Sequence, residues 1–148
     1  MPSKTPIAFI DIRTFAHATE DPDKVLTALR NVLPPETVGN VVFKKTDLTG
    51  YYRNEIVLFQ TKITDRHVAS EVFRKLSAGL GILDKELLSG QISQHMEKGN
   101  LYLRLDKQAA YLNQIKLGQV DPIHFRIHFK RPMPDEVIAV CKEYGLVP

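Results

Sequence analysis

The chain has 148 residues, of which 43% are hydrophobic and 25% are charged, and its formal net charge is +3. These values indicate one folded domain over residues 1–148 with a core of its own, and they exclude a disordered chain. The single cysteine excludes an internal disulfide bond and a cysteine-built metal site. Short apolar runs and an N-terminus without a leader pattern predict neither a membrane span nor a signal peptide, so we expect a soluble cytoplasmic protein.

Residues 7 to 16 alternate in the manner of a strand. The alternation assigns its side chains to two faces, with Ala8, Ile10, Ile12 and Thr14 on one and Ile7, Phe9, Asp11, Arg13 and Phe15 on the other. A helix follows, with Asp21 as its N-cap and Pro22 at its first position. Its apolar stripe consists of Val25, Ala28, Leu29, Val32 and Leu33, and two prolines then end it.

Residues 40–47 and 55–63 predict two strands joined by a loop that carries Tyr51, Tyr52 and Arg53. Two tyrosines beside an arginine suit stacking on an RNA base, although tyrosines in hairpins more often pack back on the sheet. A second amphipathic helix is predicted over residues 64–80 and a third over residues 84–96. The third helix is expected to face inward with Leu87, Leu88, Ile92 and Met96.

Residues 97 to 118 form the segment around which the rest of the chain is organised. Three leucines, at positions 101, 103 and 105, alternate with Tyr102 and Arg104, which predicts a strand with one buried face. Asp106 is the predicted cap of a short helical turn over residues 107–112, and residues 114–117 suggest a further brief strand.

Residues 122 to 130 show the clearest alternation in the chain. The apolar members Ile123, Phe125, Ile127 and Phe129 are predicted to be buried, opposite His124, Arg126, His128 and Lys130. A C-terminal helix over about residues 133–145 is expected to cover an edge or an end of the sheet. The element order predicts an α+β fold: a two-layer sandwich whose mostly antiparallel sheet has about four to five strands, with helices on one face.

Two segments carry a resemblance to a known family. They are residues 97 to 112, Glu-Lys-Gly-Asn-Leu-Tyr-Leu-Arg-Leu-Asp-Lys-Gln-Ala-Ala-Tyr-Leu, and residues 17 to 25, His-Ala-Thr-Glu-Asp-Pro-Asp-Lys-Val. Over most of residues 7 to 130, the chain resembles an archaeal family of small RNA-binding proteins described as predicted exosome subunits. The resemblance implies a fold similar to that of a ribosomal protein that binds 5S rRNA, and it brings no catalytic residue. The C-terminal helix lies outside it.

Positive charge is concentrated in the same region of the chain. Residues 98 to 131 carry a net +5, which leaves −2 for the rest and suggests a patch for an anionic partner such as RNA. The candidate RNA-binding residues are Arg13, Tyr102, Arg104, His124, Arg126, His128 and Lys130 on strands, Lys107 and Gln108 at the turn, and Tyr51 and Arg53 on the hairpin loop. A solvated face whose cations offset Asp11 and Glu55 is the alternative.

Catalytic and metal chemistry find little support in the sequence. His124 and His128 are four strand residues apart, about 13 Å, which is too far to share one ion. His17, His67 and His95 have no partner at ligand spacing, so neither a metal nor a cofactor is expected. Carboxylates are scattered, and no glycine-rich phosphate loop or nucleophile elbow is present.

The sequence therefore predicts a non-catalytic RNA-binding protein that acts as an accessory subunit in RNA processing or degradation, with exosome association implied by the resemblance. An assembly subunit that binds exosome or other RNA-processing proteins, or a second copy of itself, is the main alternative. A ribonuclease that uses two histidines is a third.

Overall fold

The computed structural model describes residues 5–49 and 55–148. Within them, the strands are β1 (Ile7–Ala16), β2 (Lys44–Thr49), β3 (Glu55–Ile63), β4 (Met96–Glu97), β5 (Asn100–Leu105) and β6 (Ile123–Phe129). The α-helices are α1 (Pro22–Asn31), α2 (Arg66–Gly79), α3 (Ile82–Gly90), α4 (Lys107–Tyr111) and α5 (Pro134–Tyr144). Two 3₁₀ helices, Pro35–Asn40 and Ile92–His95, complete the order. No helix in the described ranges is long and apolar enough to span a membrane.

The six strands form one antiparallel sheet in the order β2-β3-β1-β6-β5-β4. The α+β class and the antiparallel two-layer arrangement are confirmed, and the sheet is slightly larger than predicted because Met96 and Glu97 add a two-residue edge strand. β1 lies in the middle, between β3 and β6. Side chains on one face of the sheet are buried under the helices, whereas those on the other face are exposed or half-buried.

Local sequence signals account for most element boundaries. The Asp21 side chain accepts a hydrogen bond from the Asp23 backbone N–H, which caps α1 as predicted. The Asp106 side chain accepts one from the Gln108 backbone N–H and begins α4 in the same way. Every member of the predicted apolar stripe of α1 is buried. Caps therefore mark where both helices begin, and periodicity marks the buried face of α1.

The buried face of β6 forms the centre of the core. Ile123, Phe125, Ile127 and Phe129 are almost wholly buried, as the alternation predicts. Phe129 makes an edge-on ring contact with Phe73 of α2, with ring centroids 5.7 Å apart. One continuous cluster of buried residues joins the sheet to all five α-helices, so the described residues share a single core.

The C-terminal helix α5 belongs to the helical layer. Tyr144 lies 5.2 Å from the Phe73 ring, centroid to centroid, and the Arg74 guanidinium lies 4.9 Å from the Tyr144 ring. Cys141 is wholly buried, and burial raises the pKa of its thiol to about 12. The helix therefore packs on α2, and its cysteine is a core residue.

Four sequence-based predictions need correction. A β-bulge between Ile7 and Phe9 turns Ile7 inward, so this residue is buried and not on the outer face. α3 ends at Gly90, and Leu87 is 53% exposed because only Leu88 points to the core. Residues 40–43 precede β2, since the 3₁₀ helix occupies the chain up to Asn40. Residues 114–117 make only an isolated bridge, from Leu117 to Leu105.

Candidate functional site

The candidate site is the sheet face opposite the helices, which we call the open face. It is formed by the outward side chains of β1, β2, β3, β5 and β6, and strand register decides which of them are neighbours. One row crosses five strands in the order Lys44, Gln60, Arg13, His124 and Arg104. Four of these five residues carry a cation or an imidazole, so the row is a line of potential anion contacts.

A second row on the open face contains its own counterion. It crosses four strands in the order Lys62, Asp11, Arg126 and Tyr102. The Arg126 Nη2 atom donates to the Asp11 Oδ2 atom over 2.7 Å. Asp11 is the more buried partner of the pair, so the positive charge of Arg126 is largely compensated before any ligand arrives.

Phe9 supplies an aromatic platform beside the second row. Its ring stacks on the His128 ring with centroids 4.9 Å apart, and the Lys62 ammonium lies 4.3 Å from its centre. The His128 Nδ1 atom is 2.9 Å from the Asn100 side-chain oxygen. His128 is therefore held in place by two neighbours on the open face.

The two arginines of the first row are not neutralised. Within residues 5–49 and 55–148, no carboxylate lies within ion-pair distance of Arg13 or Arg104. The Arg104 Nη1 atom donates only to the Gln119 side-chain oxygen, over 3.2 Å. Burial lowers the pKa of His124, and the charges of Arg13 and Arg104 lower it further. The centre of the open face thus holds two cations without an ion-pair partner among the described residues, on either side of an imidazole whose protonation they disfavour.

Lys107 lies away from the open face and is the buried member of a group that we call the Lys107 network. The network consists of Lys107, the Phe15 carbonyl, Glu20, Asp121 and His17. The Lys107 side chain is 8% exposed, and its Nζ atom donates to the Phe15 carbonyl and to Asp121, both at 2.7 Å. It also contacts both Glu20 carboxylate oxygens at 3.1 Å. Its ammonium group is fully used inside the protein.

The Lys107 network also includes His17, which contacts Asp121. His17 lies 3.0 Å from the second Asp121 oxygen. Burial alone would raise the pKa of Asp121, but hydrogen bonds from Lys107 and His17 outweigh this effect, so the pKa lies below its ordinary value. His17 has no carboxylate partner at ligand spacing in the sequence, and the structure brings Asp121 to it from the loop before β6. This long-range contact has no local signal.

Three residues of the Lys107 network have the donor types of a metal site. Ligand atoms of His17, Glu20 and Asp121 lie within 4.8 Å of one another. The Lys107 ammonium, however, already lies between the two carboxylates and supplies the positive charge that a cation would supply. The arrangement is therefore that of a salt-bridge network.

The remaining predicted residues lie in different places. Gln108 is exposed in a separate cleft between α1 and α4, of about 410 Å³, which Thr19 and Tyr111 also line. Lys130 follows β6 and donates to the Thr5 hydroxyl over 2.9 Å. Tyr51 and Arg53 lie outside the described residues. The structure thus brings together Arg13, Tyr102, Arg104, His124, Arg126 and His128 on the open face.

Sequence reasoning missed Lys44, Gln60 and Lys62 as members of the open face. For two of them the sequence held a signal, since Gln60 and Lys62 alternate with Phe59, Thr61 and Ile63 along β3. The latter three are buried, so alternation places Gln60 and Lys62 on the open face. Lys44 had no such signal, since β2 is exposed on both sides. Its place follows only from its pairing with Gln60.

Comparison with known proteins gives a consistent result. A family model described as RNA binding matches residues 9–129. The chain is 37% identical over 134 residues to RNA-binding protein PAB1135 from Pyrococcus abyssi, an alignment that covers 88% of this chain and 87% of the relative. It is 31% identical over 121 residues to protein MJ0213 from Methanocaldococcus jannaschii, covering 77% and 78%.

A solved structure shows the same fold. Protein SSO0741 from Sulfolobus solfataricus superimposes with a TM-score of 0.76 at 23% identity, covering 93% of this chain and 97% of that one. This likeness concerns architecture alone. The two relatives identified by sequence come from archaea, as the sequence resemblance implies.

Proposed function

The chain belongs to the RNA-binding family, and on that premise we propose that it binds the RNA backbone through its open face and catalyses no reaction. The observation that carries the proposal is the row of Lys44, Arg13 and Arg104 in register across an uncovered sheet. Such cations displace condensed counterions when phosphates bind, which is the main source of sequence-independent affinity. Tyr102 and Phe9 offer rings on which bases can stack.

The helical layer is a poorer surface for RNA. The first turn of α1 would otherwise suit a phosphate, but Asp21 and Asp23 occupy it. α5 likewise begins with Asp135 and Glu136. Like charges at these helix ends repel an anionic chain, so electrostatics favours the open face.

The wider role that we propose is that of a cytoplasmic accessory subunit in RNA processing or degradation, associated with an exosome. Support for this role comes from the sequence resemblance. PAB1135, the relative described as RNA-binding, supports the RNA contact only. A protein that holds RNA without cutting it would present substrate to a partner that carries the catalytic site.

A second function, assembly with a protein partner, is favoured by one feature of α3. Ile82 and Leu83 are 75% and 81% exposed, and Leu87 lies on the same helix with half of its surface in solvent. Exposed apolar side chains clustered on one helix are typical of a protein contact surface. An RNA-processing protein or a second copy of the chain would fit this role, and it is compatible with RNA binding on the opposite layer.

Fluorescence anisotropy with short single-stranded and hairpin RNAs at several salt concentrations tests the RNA-binding proposal. We expect binding that weakens steeply with salt. The double variant Arg13→Gln/Arg104→Gln should bind about tenfold more weakly, with a salt slope reduced by about 1.4 for single strands.

A charge-matched control is available in the helical layer. Arg30 and Lys142 are exposed on α1 and α5, so Arg30→Gln/Lys142→Gln removes the same charge away from the open face. This control should keep nearly full affinity. Equal losses in the two double variants would contradict the assignment of the open face, and no binding by the wild-type protein at low salt would contradict RNA binding itself.

A further inference from the structure

We propose that the depression around His124 binds the terminal phosphate monoester of an RNA chain, with Arg13 and Arg104 as its paired ligands. This inference rests on the proposed RNA-binding function. The depression has a volume of about 530 Å³ and lies in the centre of the open face. Its lining includes Arg13, Gln60, Tyr102, Arg104, His124 and Arg126.

The charge of the depression matches a dianion. Asp11 compensates Arg126 through the 2.7 Å ion pair, and burial and the nearby arginines lower the pKa of His124, which disfavours a further positive charge there. Arg13 and Arg104 then leave a local charge of about +2. A terminal phosphate carries about −1.5 to −2 near neutral pH, whereas an internal phosphodiester carries a single negative charge.

The register of the strands favours one anion over two separate contacts. Arg13 and Arg104 pair with His124 from opposite sides, so their backbones are about 10 Å apart, with β6 between them. Both side chains can reach the space above His124. A terminal phosphate offers three free oxygens to two guanidinium forks, whereas a phosphodiester offers only two.

Tyr102 gives the depression a place for the terminal nucleotide. It is 39% exposed, lies two residues before Arg104 on the same face of β5, and lines the depression. An aromatic ring beside a phosphate site can stack on the base of the phosphorylated nucleotide. The depression therefore combines an anion site with a stacking surface.

His124 provides a reporter of the bound phosphate. The charged groups that face it are Arg13 from β1, Arg104 from β5 and Asp121 from the loop before β6. A dianion placed between the arginines offsets their charges, so we expect the pKa of His124 to rise when the terminal phosphate binds. An internal phosphodiester carries a single negative charge and should therefore raise this pKa less.

The test compares three short RNAs of one sequence with an internal fluorophore: one with a 5′-phosphate, one with a 3′-phosphate and one with hydroxyls at both ends. We expect at least one phosphorylated RNA to bind about tenfold more tightly than the hydroxyl RNA. Comparing the 5′-phosphate RNA with the 3′-phosphate RNA identifies which end is preferred. NMR titration of His124 should show its pKa raised more by that RNA than by the hydroxyl form.

Two variants locate the effect. Arg13→Gln/Arg104→Gln should remove the preference for the phosphorylated end, while Lys44→Gln, in the same row but outside the depression, should weaken all three RNAs by one common factor. Hydroxyl RNA that binds as tightly as both phosphorylated forms overturns this inference and leaves the proposed function standing. A preference that persists in the double variant also overturns it, whereas a failure of every RNA to bind overturns the proposed function.

Discussion

Arg104 and Lys107 lie three residues apart and carry the same charge, yet the fold uses them in opposite ways. Arg104 is exposed on the open face, and among the described residues its guanidinium hydrogen-bonds to the Gln119 side chain and to no carboxylate. Lys107 is buried among Glu20, Asp121 and the Phe15 carbonyl. The contrast teaches that the acids around a cation, and not its place in a basic segment, decide whether its charge is available to a ligand.

The two regions should therefore respond differently to substitution. Losing the cation of the Lys107 network leaves partly buried acceptors without a donor, which costs stability. Losing a cation from the open face removes only a solvated charge, which costs little stability but weakens an anionic ligand. Measuring both the free energy of unfolding and the RNA affinity of each variant tests whether the two regions differ in this way.

The largest effect is expected for Lys107→Met. Because Glu20, Asp121 and the Phe15 carbonyl would lose their shared donor, the free energy of unfolding should fall by about 2–3 kcal/mol, with the loss limited by the partial exposure of both carboxylates. Urea denaturation measures the change. Lys44→Met, at an exposed position, is the matched control and should stay within about 0.5 kcal/mol of the wild type.

RNA affinity separates this result from a binding role. The folded Lys107→Met protein should bind RNA within about twofold of the wild type, since its ammonium group has no free hydrogen to offer. A variant that kept full stability but lost RNA affinity would place Lys107 with the open face after all.

A smaller effect, in the opposite direction, is expected for Asp11→Asn. Removing the carboxylate frees the Arg126 charge, so RNA affinity should rise by about three- to tenfold at low salt. Stability should fall by no more than about 1 kcal/mol because Arg126 is partly exposed. Fluorescence anisotropy checks the gain. Glu143→Gln makes the same charge change on α5, and an equal gain there would attribute the effect to net charge alone.

The smallest effect concerns the pH dependence contributed by His124. Its lowered pKa means that the unfolded chain takes up this proton more readily than the folded protein. The free energy of unfolding therefore has its full value above the ordinary histidine pKa of 6.5. It decreases as the pH falls from there through the lower pKa that His124 has in the folded protein. His124→Gln should reduce the pH dependence of stability in this range, as measured by thermal unfolding at a series of pH values.

The same histidine tests whether the two arginines act on it. In Arg13→Gln/Arg104→Gln, the pKa of His124 should move back toward its ordinary value, because burial remains but both nearby charges are gone. NMR titration of the ring protons measures the shift. An unchanged pKa would mean that burial alone sets it and would weaken the description of a shared charge cluster.

Local patterns in the sequence predicted most of the elements. The alternation of residues 122–130 and the caps at Asp21 and Asp106 depend on neighbours within a few positions, so they are readable without the fold. Leu87 shows the limit of such reasoning. Two adjacent leucines on a helix lie about 100° apart, and only the packing of α3 decides that Leu88 takes the buried position.

The candidate site was predictable only in part, because it depends on which strands are neighbours. Arg13, His124 and Arg104 each alternate outward in their own strands, but their common row follows from the order β1-β6-β5. The Lys107 network needs still longer contacts, since Glu20 lies 87 positions away from Lys107. Because no local pattern reveals that Lys107 is neutralised, the sequence alone predicts both Lys107 and Arg104 as phosphate ligands.

The bulge in β1 also determines where the length of this chain can vary. Two residues of β1 span one position of β6 there, so Ala8 is an extra residue in the ladder. Deleting Ala8 would restore one-to-one pairing and keep Ile7 inward and Phe9 outward. Deleting any single residue from 10 to 15 would instead exchange the two faces over the rest of the strand. Natural length differences in β1 should therefore concentrate at its beginning. An alignment that places a gap farther along would pair buried positions of one sequence with exposed positions of the other.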